Sequence, residues 1–207
     1  MTVVKLIVAG AAGRMGQAII GEARGALGVA LAGALERRGH ASLGGEVGGV
    51  KVTDRLEGLV RGGGVLIDFT APAASLDAAR VWAGAGLPMV IGTTGFSKAE
   101  DAELAMLATR AALVKSGNMS SGVTLLAALV KKAAAALGAD YDIEIVEAHH
   151  GAKADAPSGT ALMLARAAAE GRGVSLEKSV TTARNGARVA GAIGIASIRG
   201  GGIVGDH

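Results

Sequence analysis

The segment Gly10-Ala11-Ala12-Gly13-Arg14-Met15-Gly16 lies between a β-branched run, Val3 to Ala9, and an amphipathic stretch, Met15 to Ala26. Strand, glycine turn and helix is the order in which a dinucleotide-binding loop is built, although the spacing here, G-x-x-G-x-x-G, is shifted from the usual fingerprint. Gly10 would make the tight turn, Gly13 would let the backbone approach a pyrophosphate, and Gly16 would let the helix close on the strand. Strands and helices then alternate along the first half of the chain, which predicts an α/β fold with a parallel sheet covered on both faces.

Glu36 ends the second strand, Val29 to Leu35, and lies twenty residues beyond Gly16. A carboxylate placed there holds ribose hydroxyls, while the guanidinium groups of Arg37 and Arg38 suit the extra phosphate of NADP. NADH and NADPH both remain open as cofactors. The alternation continues with strand Val65 to Thr70, helix Ser75 to Ala85, strand Leu87 to Ile91, helix Lys98 to Arg110 and strand Ala112 to Lys115. Ligands of such sheets bind beyond the carboxyl ends of the strands, which aligns Gly10, Glu36, Thr70, Gly92 and Ser116 along one edge. Two turns at that edge, Gly92-Thr93-Thr94-Gly95 and Ser116-Gly117-Asn118-Met119, offer hydroxyls and flexible backbone to a carboxamide or ring. Each could equally be an ordinary turn.

The pattern changes near Gly117 to Gly122, where a long Ala/Leu helix, Val123 to Leu137, begins. Two domains are expected: residues 1–120, a Rossmann-like dinucleotide-binding domain, and residues 121–207, a smaller α+β domain for substrate binding and oligomerisation. Strand Ala192 to Ile198, a Gly200-Gly201-Gly202 turn and a further strand from Ile203 close the second domain, which reads as incomplete at His207. Aromatic residues make up only 2% of the chain, so close packing of small side chains is expected in place of aromatic anchors. No apolar run reaches the roughly 18 residues that span a bilayer. The absence of cysteine excludes thiolate catalysis and cysteine-ligated metals, and it suits a cytoplasmic protein. A net charge of +3, scattered and without aromatic platforms, argues against nucleic acid as a partner.

The second domain carries the reactive residue types. Tyr141, Ile143, Ile145, Glu147 and His149 alternate with Asp142, Glu144, Val146, Ala148 and His150, which predicts a strand; if it persists through both histidines they face opposite ways, unless it breaks at Gly151. Lys153 follows in a loop, and Ser158 can cap a helix whose first free amides lie at Gly159 and Thr160. A helix start and a lysine attract an anion, and an imidazole moves protons near neutral pH. Adjacent histidines on a strand diverge, so no metal site is expected. Asp68 and Asp155 are expected to end a strand and to support the loop.

Taken together, the Gly10 to Gly16 loop, Gly92-Thr93-Thr94-Gly95, Glu147-Ala148-His149-His150 and Lys153-Ala154-Asp155-Ala156-Pro157-Ser158-Gly159-Thr160-Ala161 resemble the 4-hydroxy-tetrahydrodipicolinate (dihydrodipicolinate) reductases. The resemblance implies a cytoplasmic, homotetrameric oxidoreductase of the diaminopimelate route to lysine. In it, NADH or NADPH gives a hydride to a cyclic, unsaturated dicarboxylate and forms tetrahydrodipicolinate. It implies that Gly10, Ala11, Ala12, Gly13, Arg14, Met15, Glu36, Arg37, Gly92, Thr93, Thr94, Ser116, Gly117, Asn118 and Met119 bind the cofactor. His149 would be the proton donor or acceptor and Lys153 a proton donor, with His150, Gly159 and Thr160 holding substrate. Two departures stand out: Thr124 where the family commonly has Asn, and a short passage around Arg184 to Arg188. Family members continue beyond His207, so the alternative reading is a dinucleotide-binding fragment without turnover.

Overall fold

The computed structural model describes residues 2–183 and 185–207, so the passage from Arg184 to Arg188 begins outside the described residues. The chain forms two compact units, Met1–Ser116 and Gly117–His207.

The first unit runs β1 (Val4–Ala9), α1 (Arg14–Ala23), β2 (Val29–Leu35), β3 (Glu46–Val47), β4 (Val50–Thr53), α2 (Leu56–Val60), β5 (Val65–Asp68), α3 (Pro72–Gly84), β6 (Met89–Ile91), α4 (Lys98–Leu107) and β7 (Leu113–Lys115). Its sheet has the order β3-β4-β2-β1-β5-β6-β7. All neighbours are parallel except the short β3–β4 hairpin. From β1 the chain builds outward to β4, then returns to β5 on the other side. The topological switch point, where such sheets bind ligands, is therefore between β1 and β5. Both faces are covered, which explains the apolar run Leu6 to Ala9 in β1: Ile7 joins the core of Leu66, Trp82, Met89 and Ile91, and its neighbour Val8 joins that of Ile20, Ala34 and Val52. The buried Trp82 indole donates to the Pro88 carbonyl at 3.0 Å, so its polar atom is not stranded.

Helix α3 starts at Pro72, three residues before the expected Ser75. Proline is well placed in a first turn, where its missing N–H has no intrahelical partner to lose. Helices α1 and α4 stop three residues short of Ala26 and Arg110.

The second unit runs α5 (Ser121–Leu137), β8 (Ile143–His149), α6 (Gly159–Arg172), α7 (Leu176–Ser179), β9 (Val180–Thr181) and β10 (Ile193–Arg199). Its strands form a parallel sheet of order β8-β10-β9. The core between α5, α6 and the sheet is Ala134, Ala161, Ala165, Ala168, Ile193 and Ile195. Small residues here let the helices approach closely, since a Cβ on Gly171 would lie 2.3 Å from the Lys131 carbonyl oxygen. Ile203 does not begin a strand. After a bend at Gly201, with φ +49°, only Asp206 pairs, by a single antiparallel bridge to Ala148. Among the described residues, no helix is long and apolar enough to cross a membrane.

Candidate functional site

In the first unit, glycine shapes the turn from β1 into α1. Gly10 has φ +68°, a Cβ on Gly16 would lie 2.2 Å from the Gly10 carbonyl oxygen, and Gly13 caps α1 without a side chain. Glu36, buried at the end of β2, accepts from the Ala12 amide at 2.9 Å and from the Arg37 amide at 3.2 Å. Its carboxylate thus braces the glycine loop as well as facing outward. Beside it, at the carboxyl ends of β1, β2 and β5, opens a cavity of about 500 Å³ that Gly10, Glu36, Arg37, Arg38 and Thr70 help to line. Its size and place at the switch point suit one half of a dinucleotide.

Asp68 closes β5 and is fully buried. Its Oδ1 accepts from the Thr70 amide at 2.8 Å and from the hydroxyls of Thr70, Ser75 and Thr93 at 2.7, 2.9 and 3.0 Å. The Thr93 hydroxyl also accepts from the Thr70 amide at 2.9 Å and lies 2.7 Å from the Ser75 hydroxyl. That hydroxyl is therefore spent inside the protein, and only the Thr93 backbone is left to meet a ligand. Gly92 is pressed against Phe69, whose ring a Cβ would approach to 2.0 Å. Arg14 and Met15 are exposed at the start of α1, and Ser116 follows β7 at the same edge of the sheet.

In the second unit β8 ends at His149, and the chain turns at Gly151 and Ala152, so His150 lies beyond the strand. The alternation argument therefore stops applying at His150. Glu147, two residues before His149 and on its face, is fully buried. Arg199 grips it from β10 with two bonds of 2.7 Å, and the Ser158 amide donates at 3.1 Å. The His149 Nδ1 lies 2.5 Å from the same carboxylate. These groups, Arg199 above all, hold the Glu147 carboxyl well below the usual carboxylate range despite its burial, with a further bond from Ser197.

Arg199 also donates to the Asp155 carbonyl at 2.6 Å, tying the loop to the sheet, and Lys153 pairs with the Asp155 carboxylate at 2.8 Å. Ser158 caps α6 by accepting from the Ala161 amide at 3.1 Å. Asn118 donates to the Thr160 hydroxyl at 2.9 Å, and Gly117 lies close against the Gly159 backbone. Gly117 to Met119 thus sit beside the first turn of α6. Thr124 bonds back to the Ser120 carbonyl at 3.0 Å, within its own helix. Arg188 bridges Asp142 and Glu144.

The composition-based reading missed Glu147, Arg199 and His207 as parts of the site. Glu147 had a signal, a charge on the otherwise apolar face of β8. Arg199 had none, because its place opposite His149 exists only once β10 pairs with β8. His207 approaches His149 edge-on at 5.1 Å and meets the Ser158 hydroxyl at 2.7 Å. Desolvation, and then the nearby His149, push its imidazole below the usual value. Glu147, His149 and His207 bring ligand atoms within 4.8 Å of one another. The Glu147 oxygens are already taken by Arg199, His149 and Ser158, and the guanidinium repels a cation, so this cluster is poorly suited to a metal.

A nucleotide-type sheet with its cavity at the switch point, joined in one chain to a unit that presents histidines, a lysine and a helix start, defines a two-unit Rossmann-type oxidoreductase. Family models narrow the class. "Dihydrodipicolinate reductase, N-terminus" matches residues 4–119 and "Dihydrodipicolinate reductase, C-terminus" matches residues 122–207. The chain belongs to the dihydrodipicolinate reductase family.

It is 49% identical to the 4-hydroxy-tetrahydrodipicolinate reductase of Parvibaculum lavamentivorans, over 99% of this chain and 80% of that protein. It is 51% identical to the one of Ruegeria pomeroyi, over 98% of this chain and 79% of that protein. Among solved structures, the dipicolinate-bound dihydrodipicolinate reductase of Paenisporosarcina sp. TG-14 superposes with a TM-score of 0.67. It has 25% identity and covers 99% of this chain and 81% of that one. The family and fold expected from the motifs are those found.

Proposed function

We propose that the protein reduces dihydrodipicolinate, formed from 4-hydroxy-tetrahydrodipicolinate, to tetrahydrodipicolinate with a reduced pyridine nucleotide, in the diaminopimelate route to lysine. The observation that carries this reading is the second unit's pairing of His149 with a buried carboxylate, beside Lys153 and the Ser158 cap. Identity near 50% to named reductases supports it, as does the dipicolinate, a planar dicarboxylate, bound to the solved relative.

The residues of the first unit fit a nucleotide. The Gly10 to Gly16 turn is crowded wherever a side chain would be added, which leaves its backbone open to a pyrophosphate. Gly10 to Met15, Glu36, Arg37, Gly92 to Thr94 and Ser116 to Met119 would hold the cofactor. When bound, its nicotinamide supplies the hydride. Glu36 would receive a ribose hydroxyl. The exposed Arg37, on the cavity rim, would meet a 2′-phosphate, so both NADH and NADPH are expected to serve.

The amides of Gly159 and Thr160, at the head of α6, would take one substrate carboxylate, with Lys153 and His150 supplying further donors. Addition of hydride to one end of a ring double bond leaves an electron pair that must take a proton. His149 would exchange that proton and Lys153 would donate. The Lys153–Asp155 pair holds the lysine side chain in place until substrate arrives.

Residence in the cytoplasm fits a chain without cysteine. Assembly into a homotetramer fits the apolar face that β8 and β10 leave exposed at Val146 and Ile198. Sedimentation would read the assembly directly.

Freshly generated substrate with NADH or NADPH should be turned over, and His149→Gln and Lys153→Ala should each lower kcat at least about a hundredfold while nucleotide affinity holds. Nucleotide binding without oxidation would mean that the chain is a binding protein only.

A further inference from the structure

The Glu147 carboxylate is saturated. Its Oε1 accepts from Arg199 and the Ser158 amide, and its Oε2 from Arg199 and His149. Buried and fully occupied, it has no lone pair to offer a ligand, so any part it takes in chemistry must pass through a neighbour. The neighbour able to carry it is His149. An ionised carboxylate only accepts, so the ring atom beside it, Nδ1, must bear a proton. A free histidine side chain prefers its neutral-state proton on Nε2, and the protein therefore imposes the opposite tautomer.

On the far side of the ring Nε2 faces Gly205, which has no side chain to cover it. A Cβ on Gly205 would fall 3.0 Å from the His149 Nε2, and among the described residues no hydrogen bond reaches that nitrogen. Arg199 explains how an ionised acid is held at this buried place. Its guanidinium balances the Glu147 charge, so the carboxylate acts on His149 mainly as a directional acceptor. The other charged groups near the pair are Lys153 and Asp155 in the loop, and Asp206 and His207 at the end of the chain.

We infer that Glu147, clamped by Arg199, is a positioning residue that fixes the His149 proton on Nδ1 and leaves Nε2 as the atom that exchanges a proton with the substrate. The inference rests on the role proposed for His149. It makes the Glu147–Arg199 pair part of the proton-transfer apparatus, though neither needs to touch substrate.

The test is Glu147→Gln. Arg199 will claim the amide oxygen, turning the NH₂ toward Nδ1 and favouring the Nε2–H form. Imidazole ¹⁵N spectra of the whole protein at alkaline pH, assigned with His149→Gln, read the tautomer without reference to activity. The wild type should show Nδ1–H and Glu147→Gln should show Nε2–H. kcat should fall at least about tenfold, with nucleotide KM within about twofold, and Glu147→Asp should restore part of both the tautomer and the rate. An Nε2–H signal in the wild type overturns the inference even if the variant fails to fold, and so does an unchanged tautomer in a folded Glu147→Gln. A switched tautomer with full kcat would uphold the positioning role and remove His149 as proton carrier, so the two readings can fail separately.

Discussion

The candidate nucleotide loop and the candidate proton-transfer centre are built by opposite means. Between Gly10 and Gly16 the first unit works by subtraction, because a side chain at Gly16 would collide with the turn it packs on. Around Glu147 the second unit works by addition: a buried carboxylate, a guanidinium from another strand, an imidazole and a backbone amide satisfy one another. A loop shaped by missing side chains is local and tolerates changes in the surrounding surface. A buried ion pair is non-local, and it fails badly if one member is lost.

The sharpest way to test this contrast is to remove one charge from the buried pair. Glu147→Ala leaves the guanidinium of Arg199 without its carboxylate and His149 without its acceptor. Breaking such a pair costs about 3–5 kcal/mol, and the lower end applies because the Arg199 side chain, 18% exposed, can turn partly to water. Urea unfolding followed by probes in each unit should show the loss confined to the second. An equal loss in the first unit would dissolve the contrast.

Acid should reach the second unit by the same route. Glu147 is held below the usual carboxylate range, chiefly by Arg199, so unfolding takes up a proton. The stability this contributes is intact above the unfolded carboxyl value of about 4.3 and is lost progressively as pH falls below it. His207, pushed down by desolvation, acts in the same direction from about 6.5 downward. The lowered carboxyls of Glu100 and Glu103 in the first unit are on the surface and screened by solvent. Unfolding midpoints measured from neutral pH down to about pH 2 should fall more steeply for the second unit. Protonation keeps the side chain in place, so the loss should be smaller than for Glu147→Ala.

Gly16→Ala probes the subtractive side. The new methyl would lie 2.2 Å from the Gly10 carbonyl oxygen and 2.8 Å from the Ala11 Cα, both backbone atoms that cannot swing aside. Overpacking of this kind costs about 1–3 kcal/mol, and the loop should yield before the helix does. Calorimetry with NADH should therefore show weakened binding with the second unit's stability unchanged. Unaltered affinity would mean that the loop's shape does not depend on the missing side chain.

The same division explains what could be read in the chain before its structure. The glycine loop, the order of the strands to β7 and the Ser158 cap were legible because each depends on residues within a few positions of one another. The end of β8 was legible only as an alternative, a break at Gly151, and placing it at His149 required knowing that Asp206 pairs with Ala148. The short α2 and β3 carry too little periodicity to announce themselves. The partners of Glu147 were hidden for a different reason, since Arg199 lies 52 residues away and meets it only through the pairing of β10 with β8. The family's motifs reached further and pointed to the family itself, because they join residues that are distant along the chain.

The finest form of the comparison sets one helix cap against another. Ser97 caps α4 in the first unit with an exposed capping box, in which Glu100 returns a bond to the Ser97 amide at 2.7 Å and the Glu100 amide bonds the serine hydroxyl at 3.3 Å. Ser158 caps α6 in the second unit at 2% exposure, its hydroxyl accepting from the Ala161 amide and its own amide donating to Glu147. Replacing either serine by alanine removes one acceptor. Water can take its place at Ser97, whereas the Ala161 amide would stay buried and unpaired. Within the range of about 0.5–2 kcal/mol for such caps, Ser97→Ala should fall near the bottom and Ser158→Ala near the middle or above. The Ser158 amide would still hold Glu147, so the His149 tautomer should survive the mutation even as α6 loosens. Equal losses at the two caps would show that the buried network adds nothing to the second unit beyond what its helices already provide.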